Sequence, residues 1–236
     1  MHTQTFVSPA ASPATDVADA IRSRQSVRAF EATPVPPALI RQLLETASYA
    51  PSGSNLQPWN VYVLTGGALA RLGQAIQAAY LADEPGHVRD YNYYPGDVPE
   101  PFLSRRRACG WGLYGTLGIA RGEKERMKAQ RATNYNFFGA PLGMVFTIDS
   151  GLETGSWMDY GGFLQSLMVA ARGVGLHSCA QASIAEYPAI VRAHLPVPAH
   201  HKVVCGMALG YADVAARVNG FRTERAPVDE FATFLD

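Results

Sequence analysis

Pro51-Ser52-Gly53-Ser54-Asn55-Leu56-Gln57-Pro58-Trp59 separates two segments with different hydrophobic periods. Before it, Leu39, Ile40, Leu43, Leu44 and Ala47 recur at helical spacing. After it, Val61-Tyr62-Val63-Leu64 reads as a strand, ended by Gly66-Gly67. Pro51 stops the helix because it has no amide hydrogen to donate. The short Ser, Gly and Asn side chains suit a turn. Gln57-Pro58-Trp59, running straight into the strand, is more than a turn requires.

Outward from this stretch the alternation continues. Upstream, Thr15 is placed to cap a first helix with Val17, Ala20 and Ile21 on its inward face. Downstream, Leu69, Leu72, Ile76 and Ala79 give another amphipathic helix, and residues 123–131 a polar one. Residues 142–148 and 203–209 are apolar strands. Between them lie a long helix over about 156–174 and a short one within 184–195, with Pro188 in its first turn. Residues 83–120 are rich in Gly, Pro and Tyr and keep no clean period, so they read as a lid-like insertion. Residues 1–15 read as a flexible arm, 16–236 as one domain, and about 212–236 as a C-terminal arm. Strands separated by helices imply an α+β fold, with a mixed sheet flanked by helices.

Composition narrows the function. The chain has 236 residues, enough for one sizeable core. Its formal net charge is +0, which favours neither nucleic acid nor an anionic membrane as partner. No apolar run reaches membrane-spanning length. Cys109, Cys179 and Cys205 are too few and too widely spaced for a disulfide framework and fit a reducing cytoplasm.

Several familiar motifs fail. Gly110-Trp111-Gly112-Leu113-Tyr114-Gly115 matches a dinucleotide-binding pattern, but Ser104-Arg105-Arg106-Arg107 precedes it where an apolar strand should stand. About 20 residues on, the place of the ribose-binding acid holds Arg131. There is no phosphate-binding Walker loop and no nucleophile elbow. His200 and His201 are adjacent, so their side chains are expected to diverge, and no residue is assigned as a metal ligand.

Three segments carry the chemistry. In Arg24-Gln25-Ser26-Val27-Arg28 the two arginines share a face in either a helix or a strand. Two guanidinium forks and a hydroxyl suit a phosphate or a carbonyl edge. The Pro51–Trp59 stretch is the second. The third is Asn219-Gly220-Phe221-Arg222-Thr223-Glu224-Arg225, where two more arginines stand beside a turn. Taken singly, each could be ordinary surface or turn chemistry.

Taken in order, they resemble the FMN-dependent nitroreductase family. The likeness rests on Arg24 to Phe30, on Tyr49 to Trp59, and on Phe137-Phe138-Gly139-Ala140-Pro141 before a strand. It continues through Gly175-Leu176 and Cys179-Ala180-Gln181-Ala182, Gly206 to Tyr211, and Arg225-Ala226-Pro227. The resemblance implies an intertwined homodimer with FMN at its interface. By position, Arg24, Gln25 and Ser26 resemble residues that hold the FMN phosphate and ribityl, and Arg28 the cation at the flavin N1 edge. Ser52 and Asn55 resemble residues that reach the flavin from the partner subunit, and Gln57 beside them is a further cofactor-binding candidate. Gln181, Ala182 and Ser183 resemble the segment facing the ring and N5. Arg222 and Arg225 resemble the C-terminal cations near the phosphate. Asn134 and Asn136 fall where the family places groups on the pyrimidine edge. No cation stands just before Phe137, a departure from the family; the nearest is Arg131. The implied reaction is a ping-pong hydride transfer through flavin N5. NADH or NADPH is the donor, and a small electron-poor nitroaromatic or quinone is the acceptor. The alternatives are a flavin-binding sensor or storage protein and reductive dehalogenation.

Overall fold

In the computed structural model the chain is described over residues 8–235. Four strands form one sheet in the order β1-β2-β4-β3: β1 (Asn60–Thr65), β2 (Leu142–Asp149), β3 (His177–Gln181) and β4 (His201–Gly210). Every pairing within it is antiparallel. This corrects the mixed sheet that the sequence implies. The parallel element is an isolated bridge, Ser26 to Ser178. The fold is α+β, as expected.

Strand alternation divides the core into two layers. Leu142, Met144, Phe146 and Ile148 of β2 pack with Cys205, Met207 and Leu209 of β4 against α2 (Pro37–Ser48) and α6 (Thr154–Gly173). Val145, Val203 and Ala208 face the other way, toward α3 (Gly66–Leu81), α7 (Pro188–His194) and the 3-10 turn Ala182–Glu186. On this second face Gly143 and Gly206 permit close approach. A Cβ at Gly143 would lie 2.9 Å from the Phe137 ring, and one at Gly206 would lie 2.5 Å from Ile184 Cγ1. The bare backbone of Gly206 lets the 182–186 turn lie against the sheet, and that of Gly143 admits Leu69 of α3 and Phe137.

The antiparallel ladder slips once. Cys205 opposes Phe146 while Val203 opposes Thr147, leaving Val204 as an extra residue. The insertion closes over this bulge. Tyr91 donates its hydroxyl to Val204 O at 2.6 Å, and Asp90 Oδ2 accepts from Val203 N at 2.8 Å and from Arg192 at 2.7 Å. Tyr91 also lies 4.7 Å from the Trp157 ring, so it packs into the body. Within the insertion, residues 102–116 form α4. The Gly110–Gly115 pattern sits inside that helix, and an added Cβ at Gly112 would meet Phe221 at 2.5 Å. Of these glycines, Gly112 serves the packing of α4 against the C-terminal segment.

Three local expectations are corrected. The first helix, α1 (Val17–Ser23), is capped by Asp16, whose Oδ1 accepts from Asp19 N at 2.8 Å; Thr15 is not the cap. Val17 and Ile21 are 71% and 51% exposed, and Ala20 is the buried residue of this helix. The described part of the N-terminal arm is pinned. Ala10 O and Ser12 O meet His177 Nε2 and Arg172 at 2.9 and 3.0 Å, and Ala14 N donates to Arg172 O at 2.9 Å. Residues 1–7 lie outside the described residues. A polar helix, α5 (Lys124–Ala132), completes the set, and no helix among the described residues is long and apolar enough to cross a membrane.

Candidate functional site

The chain leaves α1 at Arg24 and runs extended beside β3. Val27 N donates to Ser178 O at 3.1 Å, which fixes residues 25–28 against the sheet. The C-terminal segment returns to the same place. Asn219 joins the two, buried to 1% exposure. Its Oδ1 accepts from Arg28 N at 2.7 Å, and its Nδ2 donates to Ala29 O at 2.8 Å and Asp213 O at 2.9 Å. Its carbonyl accepts from Gln25 Nε2 at 2.9 Å.

This clamp assembles a cationic cavity of about 190 Å³. Arg24, Gln25, Ser26 and Arg28 line one side, and Arg222 and Arg225 the other. Burial, followed by Arg225 and Arg222, lowers the pKa of Arg24. Several guanidinium groups held this close gain most from an anion placed between them. Cys109 of α4 and Phe221 also line the cavity; no local pattern in the sequence marks either.

A polar shelf adjoins this cradle. β3 ends at Gln181, whose Nε2 donates to Asn134 O. Gln181 Oε1, Ser183 Oγ, Ser178 Oγ and Gln25 Oε1 are buried without a hydrogen-bond partner. Buried polar atoms are rarely left in this state, so the shelf suits a ligand with donor groups. A flavin supplies a phosphate for the arginines and polar ring edges for the shelf, and the residues present fit it.

Other expected residues lie elsewhere in this chain. Ser52, Asn55 and Gln57 form a turn against α6, with Ser52 Oγ accepting from Gln57 N at 3.0 Å and Gly53 N donating to Asp159 at 3.0 Å. None of them lines the cavity. Asn136 faces a separate pocket beside α3. Arg131 is not a substitute for the missing cation before Phe137. It pairs with Glu186 at 3.1 Å and lies over the Tyr80 ring. Burial opposes its charge, but Glu186 and Tyr135 outweigh burial and raise its pKa. Glu186, also bonded to Arg89 and Tyr135, anchors the turn that carries Ala182 and Ser183. His200 and His201 do not diverge as expected; their ring centroids are 4.8 Å apart.

The sequence displays Asn219 beside two arginines but assigns it no role. An Asn-Gly pair reads as a turn, and nothing local marks a partner 191 residues away.

The family model described as "Nitroreductase family" matches residues 21–211. The chain belongs to the nitroreductase family. Among curated nitroreductases, a 4-nitrobenzoate reductase from Nocardioides sp. (strain LMS-CY) is 39% identical over 228 residues, covering 94% of this chain and 92% of that protein. Nitroreductase NfnB of Mycolicibacterium smegmatis is 37% identical, covering 94% and 95%. Among solved structures, the FMN and NADPH-dependent nitroreductase NfnB from Sphigopyxis sp. strain HMH superposes with a TM-score of 0.90 at 37% identity, covering 94% of this chain and 99% of that one.

Proposed function

We propose that this nitroreductase-family chain is an FMN-dependent NAD(P)H oxidoreductase that reduces nitroaromatic or quinone-type acceptors as a homodimer. The convergence of Arg24, Arg222 and Arg225 with Gln25 and Ser26 in one cavity carries this reading. The similar NfnB structure, described as FMN and NADPH-dependent, supports the same cofactor and donor here. The curated 4-nitrobenzoate relative supports an electron-poor aromatic acceptor.

When bound, FMN would supply the two-electron hydride chemistry between the nicotinamide and the acceptor. The chain's own residues bind and tune. Arg24, Arg222 and Arg225 would hold the phosphate through charge-assisted bonds, with the Ser26 hydroxyl beside them. Arg28, by the family resemblance, would supply a fixed cation at the pyrimidine edge, where two-electron reduction places negative charge. Gln181 and Ser183 offer their unpartnered oxygens to the ring edge, and Asn134 braces Gln181.

The homodimer explains what one chain leaves undone. Ser52, Asn55 and Gln57 reach a flavin only in a second copy, because they miss the cradle of their own chain. Helix α6 exposes Met158, Gly161 and Gly162, and an added Cβ at either glycine meets nothing within 4 Å. Val17, Ile21, Tyr49 and Leu56 are also exposed. An apolar groove of about 710 Å³ runs past Val35, Ile40, Leu44 and Val63 along the open edge of β1. Such surface suits burial between subunits. The three free cysteines support a reducing, cytoplasmic setting.

The test is an anaerobic visible spectrum of the protein with FMN, before and after NADPH or NADH. Prompt bleaching, with recovery on adding a nitroaromatic or quinone, is expected. Bound flavin that does not bleach replaces the reductase reading with a sensor or storage role. Absence of flavin binding refutes the cradle.

A further inference from the structure

The far end of the central strands carries a cluster that flavin chemistry does not use. β2 ends at Asp149 and β4 begins at His201, and the two residues pair across the ladder. Directly opposed residues share a sheet face. His200 precedes His201, and its carbonyl accepts from Ser150 N at 2.8 Å, while His201 N donates to Pro198 O at 2.9 Å. The backbone that carries all three side chains is therefore fixed. One ligand atom from each of Asp149, His200 and His201 lies within 4.8 Å of the others.

We propose that these three side chains form a site for a divalent transition-metal ion, with zinc as the representative occupant. On Asp149 and His201 the atoms not needed for the metal already have partners. Asp149 Oδ1 accepts from Gly151 N at 2.8 Å, leaving Oδ2, which stands 3.6 Å from His200 Nε2. His201 Nδ1 lies 3.1 Å from Thr147 Oγ1. With the hydroxyl as acceptor, Nδ1 keeps the proton and Nε2 keeps the lone pair, as in ligand histidines oriented by a second hydrogen bond. Among the described residues no Lys or Arg forms an ion pair with Asp149, so its charge is not already neutralised by a fixed cation.

The donor set selects the ion class. Two imidazoles and one carboxylate, completed by water, suit zinc, nickel or copper. Calcium and magnesium prefer all-oxygen shells. Bonds of about 2.0–2.2 Å bring tetrahedral ligands to roughly 3.3 Å from each other, so binding requires a small inward rotation of these side chains. Along β4, His201 lies five residues from Gly206, the partner of Gln181, or roughly 17 Å. An ion there joins the end of β2 to the start of β4 without touching the cradle.

The experiment is calorimetric titration of the FMN-loaded, untagged, metal-free protein with zinc chloride. It uses a His2→Ala background, because a histidine beside the amino terminus is itself a metal ligand. One zinc per chain with a Kd below about 100 µM is expected. His200→Ala and Asp149→Asn should each raise that Kd at least tenfold, with the flavin spectrum and reductase rate unchanged. Both substitutions are mild. His200 is exposed, and the carboxamide in Asp149→Asn keeps an oxygen that can accept from Gly151 N. No saturable zinc binding, or a Kd that ignores both substitutions, overturns the site. Equal affinity for calcium chloride overturns the transition-metal assignment.

Discussion

Replacing Asn219 with alanine should separate the two halves of the anion cradle. The substitution removes three side-chain bonds, at 2.7, 2.8 and 2.9 Å. At about 1 kcal/mol net for each, the loss is about 3 kcal/mol. The damage is uneven. Ala29 O keeps a bond from Asp213 N at 3.1 Å, whereas Arg28 N loses its partner, and an orphaned buried amide costs about 1–3 kcal/mol by itself. A domain with ordinary stability of about 5–15 kcal/mol remains folded. Urea unfolding of the flavin-free protein would measure the stability change, and quenching of FMN fluorescence the affinity. Affinity should fall at least tenfold, because residues 24–28 and 222–225 are then linked mainly by the bond from Gln25 to the residue 219 carbonyl and are held less firmly in register. A variant that loses under about 1 kcal/mol and binds FMN as tightly as the parent would refute the clamp.

Arg225→Ala tests the phosphate assignment directly. One charge-assisted bond of about 1.5–3 kcal/mol corresponds to a Kd for FMN roughly ten- to a hundredfold higher, and an unchanged Kd removes Arg225 from the phosphate. His177 tests the docking of the N-terminal segment. Burial outweighs its bond to Ala10 O, and its pKa falls to about 4 from 6.5. Between those values the unfolded chain binds the extra proton, so this contribution is whole above pH 6.5 and is lost as pH falls toward 4. His177→Gln should flatten the decline of unfolding free energy over that window by up to a few kcal/mol. An identical slope would show that another group titrates.

The sequence made strands β1, β2 and β4 legible because each contains an apolar run. β3 was hidden: His177-Ser178-Cys179-Ala180-Gln181 is built of small and polar residues and has no apolar alternation. Its burial comes from its neighbours, not from its own hydrophobicity. α4 was hidden for a related reason. Gly110, Gly112 and Gly115 erase its period, and no residue in it is fully buried. Val17 and Ile21 were expected inside because helical spacing marks an apolar face without saying which molecule covers it. The arginines of the cradle stood out as residue types in two separate segments. Their meeting is implied by the family resemblance alone and by no local pattern, because the bonds from Arg28 and Gln25 to Asn219 span 191 and 194 residues. The proximity of His200, His201 and Asp149 was likewise a matter of strand register, which the sequence does not display.

Those long spans also bear on the order in which the protein acquires its parts. Closing a loop of such length is slow compared with forming helices, and it becomes favourable only when other contacts already hold the ends near each other. The cradle should therefore be completed late in folding. Trp59 stacks on Phe163 at 4.7 Å within the helix–sheet core and reports the earlier event. In a refolding experiment, indole fluorescence should settle first and flavin capture should trail behind it. The yellow colour then marks finished molecules only.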